Sequence, residues 1–282
     1  MRHRPNTVKT GKVQGVVGVA NVMWSWRWSG WSTGSMLRLM LVEVLVISVG
    51  CFLAALVNAA VATGGVYIML AASSAVLPLA AAIPMQSALA APSLVARILT
   101  FWRHINWPIF LMFAPAAAVG VVVGARIFVS LDEGAIALML GALLLALVWL
   151  VPKGITLSLP RQFLYVGGLH GCFGTIFGVG LFLQPAILRT GLNRQQITGT
   201  LAVCLLGLEA MKAAGYVSFG FSYAEHWPHI LAGAIAGVAG TLMGRRLGAK
   251  IPEQRFRMVF RLLVTLAGLR LLAKGMVDLG MV

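Results

Sequence analysis

The sequence is poor in charged residues, and poorer still in acidic residues and cysteine. Charged side chains make up 10% of its 282 residues, whereas a soluble domain typically carries about 25%, so an ordinary soluble protein is excluded. Its three cysteines lie singly in apolar stretches without C-x-x-C pairs, and we expect them to be small core residues. His170 and Cys172 have no further partners at ligand spacing, so we predict no metal site.

Most of the sequence consists of long apolar segments that contain few charged residues. Apolar residues make up 60% of the chain and the mean hydropathy is +0.92, which predicts an all-α polytopic membrane protein. The segments cover residues 39–58, 66–83, 85–102, 107–129 and 134–151, then 163–190, 195–219, 227–247 and 256–276. They continue to the end of the sequence, so a cleavable signal peptide does not explain them. We expect a multi-pass protein of the cell membrane, specifically a bacterial inner membrane.

The basic residues are concentrated at the borders of these segments. The net charge is +15, from 22 Lys and Arg against 7 Asp and Glu. The lipid bilayer explains this excess without nucleic acid as a partner, and an anionic substrate also suits it. Residues 1–38 form a basic, Trp-rich tail ending in "WSWRWSGWS". We interpret this tail as a disordered segment at lipid headgroups, with a specific docking element as the alternative. No oligomeric state follows from the sequence.

A duplicated pattern divides the remainder of the chain. Trp107-Pro108 recurs 120 residues later as Trp227-Pro228, and the same shift superimposes Gly120 on Gly240, Gly124 on Gly244 and Arg126 on Arg246. Upstream, a shift of 115 superimposes Gly65 on Gly180 and Arg97 on Lys212. This predicts two homologous repeats, 39–151 and 163–282, joined by a linker at 152–162.

Each predicted repeat has a broken, glycine-rich first helix followed by three helices, about four transmembrane helices in all. Eight spans result if each broken element crosses the membrane once. If each broken element is re-entrant, three full crossings remain per repeat and the two repeats are inverted. The charge distribution leaves both topologies open.

Polar and glycine residues cluster at the two predicted breaks, "NAAVATGG" at 58–65 and "GTIFGVG" at 174–180. In transporters, broken helices from two repeats meet near the bilayer midplane, where half-helix N-termini present unpaired N–H groups to an anion. The predicted substrate ligands are Asn58, Thr63, Gly64, Gly65, Thr175, Gly178, Gly180 and Gln184, with Thr200 as a further cavity residue. The alternative is close helix packing, which we prefer for Gly120-x3-Gly124 and Gly240-x3-Gly244.

Three of the charged residues within the predicted spans are candidates for a functional role. Arg97 and Lys212 occupy matching positions of the two repeats, where two cations beside two helix breaks would form an anion site. Arg97 has snorkelling to the interface as its alternative. Glu209 lies three residues before Lys212 on the same helical face, where it either neutralises Lys212 or accepts a proton that couples transport. For His170 we prefer a helix-packing role over a proton relay.

The chain resembles the sulfite exporter TauE/SafE family. The clearest match is "GGLHGCFGTIFGVGLFLQPAILRTGLNRQQITGTLAVCLLGLEAMKAAGYVSFG", residues 167–220, and "FLAALVNAAVATGGVYIML" and "ARILTFWRHINWPIF" are similar to the first-half equivalents. The resemblance covers about residues 39–276. It implies two related halves with glycine-rich broken helices, and transport, often outward, of small sulfur-containing anions such as sulfite or sulfonates. Glu209 departs from the neutral side chain expected there.

The leading hypothesis is therefore a secondary transporter, and an exporter, of a small anion. The residues alone predict only a small anion, and the resemblance adds sulfur. No G-x-x-x-x-G-K-[ST] motif is present, so neither ATP hydrolysis nor a cofactor is expected. One alternative is a polytopic membrane enzyme that uses His170, Cys172 or Glu209, although the polar residues within the spans are few. The other is a non-transporting receptor or scaffold that docks a partner through the tail.

Overall fold

The computed structural model describes residues 33–61, 65–149, 161–180, 182–247 and 253–281. All regular structure within these ranges is helical. The helices are α1 (Thr33–Val61), α2 (Gly65–Val76), α3 (Leu79–Phe101), α4 (Trp107–Ser130), α5 (Glu133–Trp149), α6 (Gln162–Phe177), α7 (Leu183–Leu188), α8 (Arg194–Ser218), α9 (Trp227–Leu247) and α10 (Glu253–Asp278). Short 3₁₀ helices, Trp102–His104 and Ala224–His226, precede α4 and α9.

Five helical segments of the described chain are long and apolar enough to cross a bilayer. They are Arg38–Asn58, Leu79–His104, Trp107–Ser130, Gln195–Ser218 and Ala224–Gly244. Helices α2 and α5 supply shorter apolar segments, and α10 is long but carries several basic residues. The predicted all-helical, multi-pass membrane fold is confirmed at this level.

The boundaries differ from the prediction at two places. Helix α1 begins at Thr33, so the last residues of the predicted tail are helical, while residues 1–32 lie outside the described chain. The boundary predicted between 83 and 85 is wrong, because the chain turns at Leu77 and Pro78 and then runs helically through Pro84 and Pro92. Pro78 caps this helix, where a missing N–H costs least, and its carbonyl accepts two backbone N–H bonds at 3.0 and 2.8 Å.

A carboxylate from α5 stabilises the start of α3. The Leu79 N–H donates to Glu133 Oε1 at 3.0 Å, which supplies a negative charge where the helix dipole is positive. Lys274 of α10 pairs with the same carboxylate and lies 3.8 Å from Asp278. This network fixes the ends of α3, α5 and α10 relative to one another.

Helices α4 and α6 pack in parallel and closely enough to require glycine. A Cβ at Gly120 would overlap the Gly168 carbonyl oxygen, and a Cβ at Gly124 would lie 2.6 Å from the Cys172 carbonyl oxygen. From the opposite side, a Cβ at Gly171 would lie 2.5 Å from the Ala117 carbonyl oxygen. The packing interpretation of Gly120-x3-Gly124 is thereby confirmed.

Helices α1 and α9 form a second parallel pair of the same kind. A Cβ at Gly240 would overlap the Phe52 carbonyl oxygen, so close packing also explains this glycine. Toward the start of both helices, His229 Nε2 lies 3.4 Å from Glu43 Oε2, with both side chains buried. Residues that are later in α1 therefore contact residues that are later in α9, so the two helices run parallel.

Two further pairs are antiparallel. In the α3–α8 pair, Ser87 contacts Glu209, whereas Phe101, later in α3, approaches Gly199 at the start of α8. Helices α5 and α10 likewise run in opposite directions, because Gly134 approaches Asp278 while Trp149 bonds Thr265. Helix α2 folds back along α1, with Gly50 against Ala72 and Asn58 against Gly65. The chain therefore reverses at the first break.

Candidate functional site

A cavity of about 130 Å³ lies among the helices that flank both breaks. Its wall brings together eight of the predicted site residues: Asn58, Gly65, Arg97, Gly178, Gly180, Gln184, Glu209 and Lys212. They come from α1, α2, α3, α8 and both sides of the second break. A cavity of this volume is large enough to hold several water molecules or a small solute.

Thr175 and Thr200 are the predicted residues of the described chain that lie outside this wall. Thr175 is buried, and its hydroxyl donates to the Gly171 carbonyl at 2.7 Å within α6. Thr200 is also buried, and its hydroxyl accepts the Asn106 N–H at 2.9 Å, which ties the start of α8 to the start of α4. Both hydroxyls thus bond backbone groups. Thr63 and Gly64 lie outside the described residues.

At the first break, a side chain from α1 caps α2. Asn58 Oδ1 accepts the Gly65 N–H at 2.9 Å. This satisfies one of the orphan donors that every helix N-terminus leaves. We expected this N–H to be unpaired and open to an anion, and that expectation is wrong. Because the amide oxygen of Asn58 is engaged, its NH₂ group is the part that can donate into the cavity. A Cβ at Gly65 would overlap the Ala54 carbonyl oxygen, so glycine is needed for the close return of the chain.

At the second break, as at the first, a side chain accepts the backbone N–H groups at the start of a helix. Helix α6 ends at Phe177 and is followed by Gly178, whose φ of 72° lies in the left-handed region that favours glycine. His170, buried within α6, accepts the N–H groups of Phe182 and Leu183 on Nδ1 at 3.3 and 3.0 Å. The start of α7 is therefore satisfied by a histidine side chain. This contact corrects our expectation that the N–H groups at the break are free.

The same contacts fix the tautomer of His170. Nδ1 accepts two N–H groups, so in the neutral ring the proton lies on Nε2. His170 lines the cavity, and a Cβ at Gly180 would overlap its ring. Gly180 is thus needed to leave room for a histidine that caps the break with one nitrogen and holds an N–H on the other.

Replacing His170 with leucine is expected to lower the free energy of unfolding by about 1–3 kcal/mol, because buried N–H groups of Phe182 and Leu183 lose their acceptor. Replacing it with asparagine, whose Oδ1 can take the position of Nδ1, should recover a large part of this loss. Thermal unfolding of the purified variants in one detergent measures both. Equal unfolding midpoints for His170→Leu and the wild type would contradict the capping role.

Lys212 and Glu209 form an ion pair on α8. Lys212 Nζ lies 3.1 and 2.8 Å from the two carboxylate oxygens of Glu209, and its side chain is 1% exposed. Ser87 of α3 donates its hydroxyl to Glu209 Oε2 at 2.7 Å. Of the two roles that the sequence left open for Glu209, neutralising Lys212 is the one seen in this geometry. The pair presents hydrogen-bond donors to the cavity with no net charge.

Arg97 differs from Lys212 in having no such partner. It is half-buried in the cavity wall, and no carboxylate within the part of the chain that the structure describes forms a salt bridge with it. Its charge is therefore available to a solute. A guanidinium without a carboxylate partner among the described residues of a helical bundle is costly to keep charged.

Sequence reasoning did not assign Ser87 or Gln86 to the site. Ser87 holds Glu209 from a helix 122 positions away in sequence. Gln86 is buried beside Gly178, with neither amide atom bonded within the described residues. Their only sequence signal is a polar pair inside the apolar helix α3. A search for paired polar residues in spans would have found them, although not their partners.

Polar side chains from both broken segments thus surround a cavity inside an apolar helical bundle, and this arrangement defines a polytopic membrane transporter. The chain belongs to the sulfite exporter TauE/SafE family, whose model matches residues 46–271. This confirms the resemblance seen in the sequence, and the family is one of transporters rather than enzymes. Comparison with curated proteins and with solved structures gave no match.

Proposed function

We propose that the chain is a secondary transporter that exports a small sulfur oxyanion, such as sulfite or an organosulfonate, across the cell membrane. The observation that carries this proposal is the cavity between the two breaks, whose wall includes Arg97 without a carboxylate partner in the described chain. The family match supports sulfur chemistry. The ion pair of Lys212 with Glu209 and the amides of Asn58 and Gln184 supply further polar groups around the solute.

We further propose that residues 39–151 and 163–282 are inverted repeats joined by the linker 152–162. In both halves a broken first element precedes one long helix, a 3₁₀ turn, and two more helices. Helices α3 and α8 hold the same place in this order and run antiparallel, as do α5 and α10. The pairing of α4 with α6 matches that of α9 with α1. Such relations support a two-fold axis in the membrane plane and re-entrant broken segments.

Alternating access around a fixed site follows from this arrangement. The breaks from both halves meet at the cavity, so a rigid movement of one half against the other would open it to either side. The sequence contains no G-x-x-x-x-G-K-[ST] motif, and we propose that an ion gradient supplies the energy.

Flux through the purified protein in proteoliposomes tests the proposal. Sulfite or a labelled organosulfonate should cross the membrane with the protein and not with empty vesicles. Arg97→Ala and Lys212→Ala should each lower the initial rate by at least tenfold, since each removes a donor from the cavity wall. No flux through the wild type would overturn the function. Unchanged flux in both variants would overturn the site.

A further inference from the structure

We propose that the cavity selects anions that carry a single negative charge over doubly charged anions of similar size. This inference rests on the proposed function and specifies the substrate class of the same site. It follows from the number of charges that the wall holds and from the cost of leaving a charge unmatched at membrane depth. Alkanesulfonates without a second acidic group and hydrogen sulfite belong to the favoured class, and sulfate and fully deprotonated sulfite belong to the other.

The titratable groups of the described wall are few enough to count. They are Arg97, Glu209, Lys212, His170 and the thiol of Cys51. Lys212 and Glu209 lie within 2.8 Å of each other, so their charges cancel. His170 accepts two N–H groups on Nδ1 as a neutral ring does, and an ordinary thiol is neutral at pH 7. The wall therefore holds one net positive charge, which is that of Arg97.

The remaining wall groups donate hydrogen bonds without adding charge. His170 Nε2–H and the Asn58 NH₂ group can both bond an oxygen of the solute, because their acceptor atoms are already engaged by backbone N–H groups. These groups bind the oxygens of a sulfonate or a sulfate alike. These donors favour oxyanions in general, and the net charge of the wall determines whether a singly or a doubly charged oxyanion is preferred.

The second charge of a dianion has no partner in this wall. Moving an ion from water into a low-dielectric interior is strongly unfavourable unless an opposite charge compensates it. A monoanion is compensated by Arg97, and a dianion leaves one charge unmatched. Glu209 is the residue that keeps the net charge of the wall at one, because without its carboxylate the ammonium of Lys212 would add a second positive charge.

Binding of methanesulfonate and of sulfate to the purified full-length protein, at one pH and one ionic strength, tests the inference. The wild type should bind methanesulfonate at least tenfold more tightly than sulfate. In Glu209→Gln, which keeps the size of the side chain and removes its charge, the ratio of the two dissociation constants should move at least tenfold toward sulfate. Glu225→Gln removes the same charge from an exposed residue outside the wall and should leave the ratio unchanged.

The results that would overturn the inference differ from the results that would overturn the proposed function. Equal affinity of the wild type for both anions, or tighter binding of sulfate, overturns the inference without any variant and leaves the transport proposal standing. An unchanged ratio in a folded Glu209→Gln protein also overturns it. Binding of neither anion by a wild type that also gives no flux overturns the proposed function, and the inference with it.

Discussion

Replacing Arg97 with glutamine is expected to weaken the binding of a sulfonate or of sulfite by about a hundredfold. The guanidinium supplies the net charge of the cavity wall in the described chain, and removing one partner of a buried, hydrogen-bonded charge pair costs about 2–5 kcal/mol. At 1.4 kcal/mol for each factor of ten, this corresponds to a loss of roughly 30-fold to more than 1,000-fold. Isothermal titration of the purified protein with methanesulfonate measures the dissociation constant.

Arg103→Gln is the matched control. Arg103 is exposed and lies six residues further along the chain, in the 3₁₀ helix Trp102–His104, so the same charge is removed outside the cavity wall. Its dissociation constant should stay within about twofold of the wild type. A loss of similar size in both variants would mean that general attraction of anions by the basic surface, rather than a contact with Arg97, determines affinity.

Replacing Gly171 with alanine is expected to destabilise the bundle by about 1–3 kcal/mol or more. Its Cβ would lie 2.5, 3.1 and 3.2 Å from the carbonyl oxygen, Cα and carbonyl carbon of Ala117. These are backbone atoms of α4, so no rotamer change relieves the overlap and the helices must separate. The separation also displaces His170, the adjacent residue that caps the second break. Thermal unfolding in detergent should show a midpoint lower by on the order of 5 °C.

Gly168→Ala, one turn earlier on α6, is the control that distinguishes the effect of helix packing from the effect of helix propensity on stability. A Cβ there would meet only the Ala116 carbonyl oxygen at 3.8 Å, an ordinary contact. Both substitutions bring the same intrinsic preference of alanine for a helix, so Gly168→Ala should leave the midpoint unchanged or raise it. Equal midpoints for the two variants would show that α4 and α6 do not pack as closely as the structure has them.

The site could be predicted from the sequence only in part. Arg97 and Lys212 were identified because charges in apolar spans are rare, and the glycine clusters because they interrupt such spans. The spacing of Glu209 and Lys212 on one helical face was also readable, since it depends on the local helix alone. Thr175 and Thr200 were equally plausible ligands, but their hydroxyl contacts depend on the neighbouring backbone, which no local pattern reports.

By itself, the sequence determined that this is a helical membrane protein of a transporter family, where its glycine breaks fall and which charges enter its spans. The membrane helices, the breaks and the charges depend on the length and composition of single segments, and the family resemblance depends on motifs that are continuous along the chain. Only the tertiary structure decided that Ser87 holds Glu209, that Glu133 caps α3, that His170 and Asn58 satisfy the breaks, and that Arg97 has no carboxylate partner within the described residues. Each of these is a contact in space, and packing sets which groups meet, so spacing along the chain does not predict them.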